Sequence, residues 1–317
     1  MFWLWTLGML DAIAKIFLVA FVAGFLIRRD ILQQSYIKGL SEVTVKVLLP
    51  ALIFDKVLTS FSPTQDPTWW ILPLLGFVIP IFFMGIAALF YFRDLKKNLN
   101  KLPIAALQNV GYLVLPIGQI LYPEKFDLFA LYVFLMTLGF NLALWTVGKV
   151  LISYEVGKTE IKFAEMITPP FVANVLAMIL VFLGLNDYVP NLVLEPIKIL
   201  GQAAVPMGMF ILGATLGTVS LRKFGFWQDI LKLSFVKFVL APIFVIAILL
   251  AFEIAHKNSL LADFLVIEAS AAPAANLIVI VRKYGGNAYQ IASIMLIMYL
   301  LAIIMMPLWI GLWKLIS

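Results

Sequence analysis

The chain has 317 residues, of which 63% are apolar, a mean hydropathy of +1.05 and a formal net charge of +6. Charged residues make up 13%, against roughly 25% in a soluble domain, so the chain has too little polar surface for a soluble fold of this size. Cysteine is absent and histidine occurs once, which excludes disulfide scaffolds, thiolate metal sites and histidine clusters. The composition predicts an all-α polytopic membrane protein.

Apolar segments of membrane-spanning length recur along the whole chain. A transmembrane helix needs about 20 mainly apolar residues. Ten segments are predicted as spans 1 to 10, and in chain order they are 3–27, 41–61, 71–92, 102–123, 128–148, 166–186, 199–221, 229–252, 260–281 and 284–313. Spans 1, 2, 8 and 9 carry embedded charges, and no connecting segment is long enough for a further domain.

The basic residues predict how the spans are oriented. When alternate loops are compared, thirteen Lys and Arg lie on one side, including Lys158, Arg222 and Lys223, and three lie on the other. Lys and Arg concentrate in short cytoplasmic loops. Both termini are therefore expected on the outer side of a plasma membrane or bacterial inner membrane. The positive net charge is explained as an orientation signal, so it does not indicate nucleic acid as a partner.

The ten spans predict an inverted repeat. Five spans in each half give the halves opposite orientations, a plan common in secondary transporters. The halves are residues 1–157 and 158–317, and span 3 from Pro80 resembles span 8 from Pro242 at an offset of 162 residues. Central prolines in spans 2 and 7, Pro50 and Pro206, support the same repeat.

Spans 4 and 9, the fourth of each half, predict broken helices. Span 4 contains Asn109 and Pro116, and span 9 contains Pro273 and Asn276 among small residues. Proline kinks or breaks a helix, and a break inside a membrane persists only beside protein or a wet cavity. The two half-helix N-termini would then suit a carboxylate or phosphate. The alternative is that these are ordinary proline kinks of membrane helices.

Six segments, in order over both halves, carry a family pattern: LLPALIF at 48–54, QNVGYLVLPIG at 108–118, TPPFVANVLAMIL at 168–180, LGQAAVPMGMFILGATL at 200–216, KFVLAPIF at 237–244 and AAPAANLIVIVRKYGGNAYQIAS at 271–293. With them the chain resembles the auxin efflux carrier family, which includes the plant PIN proteins and prokaryotic permeases and is related in fold to the sodium-coupled bile-acid symporters. The resemblance implies ten helices in a five-plus-five inverted repeat, with spans 4 and 9 broken and crossing at mid-membrane.

The resemblance further implies how such a protein works. Spans 1, 2, 6 and 7 would form a scaffold, often dimeric through spans 2 and 7, and spans 3–5 and 8–10 would move as an elevator that carries an organic anion. The implied substrate site consists of Asn109, Gly111, Pro116, Pro273 and Asn276. The plant carriers have a long loop between the halves where this chain has about a dozen residues, so auxin is a poor default substrate; prokaryotic relatives are usually described as malate or malonate permeases.

Charges within the spans each need an explanation, because a charged side chain at the bilayer centre costs about 2.5–3.5 kcal/mol. Two pairs four residues apart, Asp11 with Lys15 and Glu42 with Lys46, are expected to neutralise each other while facing the helix bundle. Others are expected near an aqueous interface, Asp55, Lys56 and Asp263 toward the outer side and Lys149, Lys232 and Lys237 toward the cytoplasmic side.

Glu268 is the exception among these charges. It lies five residues before Pro273 and has no basic residue three or four positions away on its own helix. Three interpretations stay open: it couples transport by taking up a proton or Na⁺, it is a buried structural acid, or it faces an aqueous vestibule.

The sequence thus favours a secondary transporter of a small organic anion, in a lipid bilayer, without a cofactor other than a coupling H⁺ or Na⁺. Two alternatives share the fold, a sterol- or lipid-binding sensor and a sodium-coupled bile-acid-type symporter. An enzyme is not expected, since no catalytic or metal-binding motif occurs, and His256 lies beside Lys257 in an outer loop.

Overall fold

The computed structural model describes residues 2–157, 159–219, 226–284 and 287–317, and the orienting residues Lys158, Arg222 and Lys223 lie outside this range. All its regular elements are helical. In chain order they are α1 Phe2–Arg28, α2 34–60, α3 Ile71–Leu89, α4 Leu102–Ala106, α5 Val110–Leu121, α6 Pro123–Ser153, α7 Pro169–Phe182, α8 Asn191–Gly217, α9 Trp227–Ala251, α10 Ser259–Ser270, α11 Leu277–Tyr284 and α12 Ala288–Ile316. Shorter helical turns connect them.

The predicted spans map onto these helices in order. Within the described residues, six helices are long and apolar enough to cross a membrane, namely α1, α3, α6, α8, α9 and α12. They correspond to spans 1, 3, 5, 7, 8 and 10, while α2 and α7 correspond to spans 2 and 6. Spans 4 and 9 are each divided in two, into α4 with α5 and α10 with α11. These helices support an integral membrane protein, and the count of ten spans stays a prediction.

Of the prolines that lie inside continuous helices, three come shortly after a widened turn. In each case a widened π-turn ends two residues before the proline. The turn Thr44–Leu48 precedes Pro50, Val110–Val114 precedes Pro116, and Val236–Leu240 precedes Pro242. A proline lacks an N–H group and its ring clashes with the carbonyl one turn back, and a widened turn relieves that clash. Pro116 is therefore not a point of breakage: the break in span 4 lies several residues earlier, at 107–109.

Several helix pairs are in backbone contact at glycines, and two of these contacts are the tightest. A Cβ added at Gly213 of α8 would lie 1.9 Å from the carbonyl oxygen of Ala20 on α1, and one at Gly139 of α6 would lie 1.8 Å from that of Pro73 on α3. Such close approach is possible only without a side chain, and small residues are typical of contacts between membrane helices. Each pair, α1 with α8 and α3 with α6, is therefore packed backbone to backbone.

The two predicted intrahelical ion pairs form, but their predicted location is wrong. Lys15 contacts Asp11, and Lys46 contacts Glu42 at 3.4 Å. All four side chains are at least half exposed, with values of 58% and 58% in the first pair and 62% and 50% in the second. Because each pair neutralises itself within one helix, it needs no partner from the bundle and lies on the outer surface of the protein.

The pair at the outer half of α2 is buried, although the sequence suggested an interfacial position. Asp55 is 6% exposed and Lys56 is 9% exposed. The ammonium of Lys56 contacts Asp55 at 3.0 Å and Asp127 of α6 at 2.8 Å. A partner 71 residues further along the chain makes this burial possible, and local spacing does not show it.

The expectation that Lys149 and Lys237 extend to the cytoplasmic interface is also wrong. Lys149 on α6 is 3% exposed and forms an ion pair with Glu165 from the segment before α7. Lys237, in the widened turn of α9, is fully buried. In both cases tertiary packing covers the side chain before it can reach an aqueous surface.

Candidate functional site

The two interrupted helices cross at their breaks. The non-helical segments 107–109 and 271–276 meet in an antiparallel bridge between Gln108 and Pro273. Two backbone hydrogen bonds flank the bridge, from the Asn109 N–H to the Ala272 carbonyl at 2.8 Å and from the Ala274 N–H to the Leu107 carbonyl at 2.9 Å. These bonds satisfy backbone groups that the breaks would leave unpaired in an apolar environment. The crossing is thus a built feature of both halves.

Tyr299 on α12 joins the two breaks through its hydroxyl group. It accepts a hydrogen bond from Asn109 Nδ2 at 2.6 Å and donates one to the Pro273 carbonyl at 2.6 Å, and its side chain is fully buried. Sequence reasoning missed this residue. The available signal was a tyrosine in the middle of an apolar span, since a buried tyrosine hydroxyl usually needs a partner.

Asn109 caps the start of α5. Its Oδ1 accepts a hydrogen bond from the Tyr112 N–H at 3.2 Å, and its Nδ2 is bound to Tyr299. The side chain is 4% exposed, although Asn109 lines the adjoining cavity. Both ends of the amide are therefore engaged inside the protein, which positions the N-terminus of α5, and direct contact with a substrate stays a prediction.

A cavity of about 330 Å³ adjoins the crossing and is bordered by both half-helix N-termini. Val110 and Gly111 at the start of α5 line it, as do Ala275 and Asn276 just before α11. The backbone N–H groups of these four residues donate to no described residue. Free N–H groups at a helix N-terminus carry a partial positive charge and bind anions. The arrangement can therefore hold a carboxylate without a basic side chain.

The walls of the cavity are neutral and largely apolar. In the described part of the chain no charged residue lines it, and its polar lining consists of Ser41, Gln108, Asn109, Tyr112, Thr137, Asn141, Thr168, Asn174, Thr215 and Asn276. Asn276 is exposed, and its side chain forms no hydrogen bond with a described residue. Gln108 Oε1 and Asn174 Oδ1 are buried acceptors without a partner there. The cavity thus offers the free side-chain amide of Asn276 beside two buried acceptors without a described partner.

A buried polar cluster surrounds Asp263 near the start of α10. Asp263, which is 3% exposed, accepts hydrogen bonds from Tyr122, Trp313 and Lys314. Lys314 also lies 4.5 Å from the ring centre of Trp5 on α1. The expectation that Asp263 is solvated is wrong, because its partners come from two other segments of the chain, the end of α5 and the end of α12.

The predicted site residues separate into two groups. Asn109, Gly111 and Asn276 line the cavity, and Pro273 lies in the bridge beside it. Pro116 is buried further along α5 and does not line the cavity. Glu268 is 1% exposed and lies behind the crossing, away from the cavity wall.

Removing the Tyr299 hydroxyl should destabilise the crossing. Tyr299→Phe leaves Asn109 Nδ2 and the Pro273 carbonyl buried without this partner, and each buried unpaired group costs about 1–3 kcal/mol. We expect the free energy of unfolding to fall by about 2 kcal/mol or more, measured by thermal unfolding of the purified protein. Tyr188→Phe, at a side chain that is 80% exposed, is the matched control. Equal stability of the two variants would show that Tyr299 does not hold the breaks together.

Comparisons with known proteins agree with a membrane function. The family described as "Membrane transport protein" matches residues 9–310. An uncharacterized transporter of Methanocaldococcus jannaschii is 26% identical over 311 residues, which cover 95% of this chain and 97% of the relative. An uncharacterized transporter of Saccharomyces cerevisiae is 25% identical over 183 residues, covering 50% of this chain and 30% of the relative. The matched family and relatives are transporters and not enzymes.

Proposed function

We propose that this chain, which belongs to the membrane transport protein family, is a secondary transporter of a small organic anion. One observation carries the proposal: two half-helix N-termini with free N–H groups border the same uncharged cavity. A carboxylate there would accept hydrogen bonds from the backbone of Gly111 and Asn276 and from the side chain of Asn276. Because the site holds the anion without a fixed positive charge, it can also release it, as a transporter must.

The cavity walls favour a monocarboxylate with an apolar body. Most of the lining is apolar, including Leu49, Phe134, Trp145, Phe171 and Val279. A volume of about 330 Å³ suits a small molecule. A dicarboxylate such as malate would place its second charge against these apolar walls. We therefore place aromatic or aliphatic monocarboxylates ahead of malate and malonate.

We further propose ten spans in a five-plus-five inverted repeat, residues 1–157 and 158–317, with both termini outside. Spans 1, 2, 6 and 7 form the scaffold, and spans 3–5 and 8–10 move as an elevator. The tight contacts of α1 with α8 and of α3 with α6 support this division, because each lies within one proposed domain. The cavity lining from α2, α6, α7 and α8 lies toward the predicted cytoplasmic ends, which fits an inward-facing state.

A homodimer through spans 2 and 7 is part of the same proposal. The exposed Glu42–Lys46 pair lies on α2, and α8 packs beside α2. Contact with a second copy would remove this pair from lipid, where polar side chains are costly.

Ligand binding tests the proposed site. Phenylacetate, hexanoate, malate and malonate are added to the purified protein, and thermal unfolding is recorded, since a ligand stabilises the native state by RT ln(1 + [L]/Kd). We expect phenylacetate or hexanoate to stabilise the protein more than the dicarboxylates. Asn276→Ala should weaken this binding about tenfold or more, because a hydrogen bond to a charged group contributes about 1.5–3 kcal/mol.

The control for this experiment is Asn186→Ala, outside the cavity lining. It should leave binding unchanged. Stabilisation by none of the four carboxylates, or equal binding to wild type and Asn276→Ala, would contradict the assignment of the anion site.

A further inference from the structure

Lys237 and Glu268 lie buried behind the crossing, outside the cavity lining. Lys237 is 0% exposed on α9, and Glu268 is 1% exposed on α10. In the described part of the chain, neither the lysine Nζ nor either oxygen of the carboxyl group has a hydrogen-bond partner. The turn Val236–Leu240, which holds Lys237, packs against α10, and the charge of each group acts on the other. The Ser234 hydroxyl, on the same helix as Lys237, is also buried and has no partner among the described residues.

Other titratable groups do not pair with Lys237 or Glu268. The other described titratable residues on α9, on α10 and on the elements that pack against them either contact other partners or are exposed. These residues are Tyr112, Glu124, Lys125, Asp127, Tyr132, Lys149, Asp229, Lys232, His256, Lys257, Asp263, Tyr289, Tyr299 and Lys314. Asp229 at the start of α9, for example, is bound by Tyr91 and Lys101. The charge state of Lys237 and Glu268 therefore depends mainly on the two groups themselves.

The number of protons on the pair fixes its charge. With one proton, carried by the amine of Lys237 as the stronger base, the pair is neutral overall, and this is less costly in an apolar interior than a net charge. A second proton gives an ammonium beside a carboxylic acid and one net positive charge. That charge is stabilised when an anion is nearby.

The pair is close to the proposed anion site. Glu268 lies two residues before the end of α10, so the chain carries it within roughly 15 Å of the cavity rim at Ala274. At that distance, with an effective dielectric constant of about 20, opposite unit charges raise each other's affinity at least about fivefold. By linkage, the proton favours the anion as much as the anion favours the proton.

We propose that Lys237 and Glu268 form a proton-binding site that takes up a proton together with the anion, so that a monocarboxylate and a proton cross the membrane together. The inference rests on the proposed transport function. The proton comes from the aqueous side at which the anion enters and leaves on the other side, so the cycle moves no net charge. A proton fits better than Na⁺, because the pair supplies one carboxylate and an ammonium group that repels a cation. No group of three acidic or histidine side chains suited to a metal ion occurs among the described residues.

Infrared spectroscopy tests the proton site without a substrate. The protein is reconstituted in lipid nanodiscs, and the C=O stretch of protonated carboxyl groups is compared between mildly alkaline and mildly acidic pH. We expect a band that grows on acidification and is missing in Glu268→Gln. Glu195→Gln, at an exposed position on α8, is the matched control and should keep the band. In Lys237→Met, where the carboxyl group loses its charged partner, the band should persist at every pH. A spectrum unaffected by Glu268→Gln would overturn the proton site.

Binding of phenylacetate, which stays ionised over this pH range, then tests the coupling. We expect at least about fivefold tighter binding to wild type at the acidic pH and no pH dependence in Glu268→Gln. Equal affinity at both pH values in wild type would overturn the coupling while leaving the anion site intact. If phenylacetate binds at neither pH, the failure belongs to the proposed function, and the infrared band still decides whether the pair binds a proton.

Discussion

Replacing Gly111 with leucine should abolish transport while leaving the protein folded. Gly111 lines the cavity at the start of α5, and a Cβ added there meets no atom within 4 Å. The new side chain would therefore extend into the space that the substrate needs. Its backbone φ is not positive, and leucine is a better helix former than glycine by up to about 1 kcal/mol, so stability should hold or rise.

The expected loss is large, because several substrate atoms would overlap with the leucine. We expect flux of phenylacetate into proteoliposomes to fall on the order of a hundredfold, equivalent to about 3 kcal/mol of lost binding. Gly85→Leu on α3 is the matched control, since that glycine is also open but does not line the cavity. Normal flux in Gly111→Leu would show that the substrate passes elsewhere.

Linking α1 to α5 should stop transport reversibly. A Cβ at Gly8 of α1 would lie 3.8 Å from Leu121 Cδ2 of α5, and the two helices belong to different proposed domains. The chain has no native cysteine, so Gly8→Cys with Leu121→Cys introduces a unique pair of thiols. A short bis-methanethiosulfonate reagent that bridges them should reduce flux to background, and reductant should restore it.

The control for this experiment is a bridge within one proposed domain. Phe82 of α3 and Phe244 of α9 stack with ring centres 4.9 Å apart, and both helices belong to the proposed moving domain. The doubly substituted Phe82→Cys, Phe244→Cys protein should keep its flux after treatment with the same reagent. If the protein keeps full flux when positions 8 and 121 are completely bridged, movement of α5 relative to α1 is excluded.

The sequence predicted the two breaks because their signals are local, whereas their crossing was implied only by the family resemblance. Proline, asparagine and small residues at 271–276 have no place in a simple apolar span, and the break in span 9 lies there. The break in span 4 precedes Pro116, because the widened turn Val110–Val114 absorbs that proline and the helix continues. A proline thus indicates a disturbance of the helix without fixing which residue leaves it.

Contacts between distant segments could not be predicted in this way. Spacing along one helix finds the pair of Glu42 with Lys46, but it cannot show that Glu268 of α10 and Lys237 of α9 interact electrostatically. The same limit applies to Asp263, whose partner Lys314 lies 51 residues further along the chain. From the sequence alone, a buried charge with a remote partner cannot be distinguished from a charge that lies at an aqueous interface.

Counterflow tests the central claim, anion transport through the crossover cavity, most directly. Proteoliposomes preloaded with unlabelled phenylacetate are diluted into a trace of labelled phenylacetate, and uptake of label is followed over time. We expect transient accumulation with wild type and Gly85→Leu and none with Gly111→Leu. Binding of phenylacetate without counterflow in wild type would contradict transport and indicate a protein that binds its ligand without moving it across the membrane.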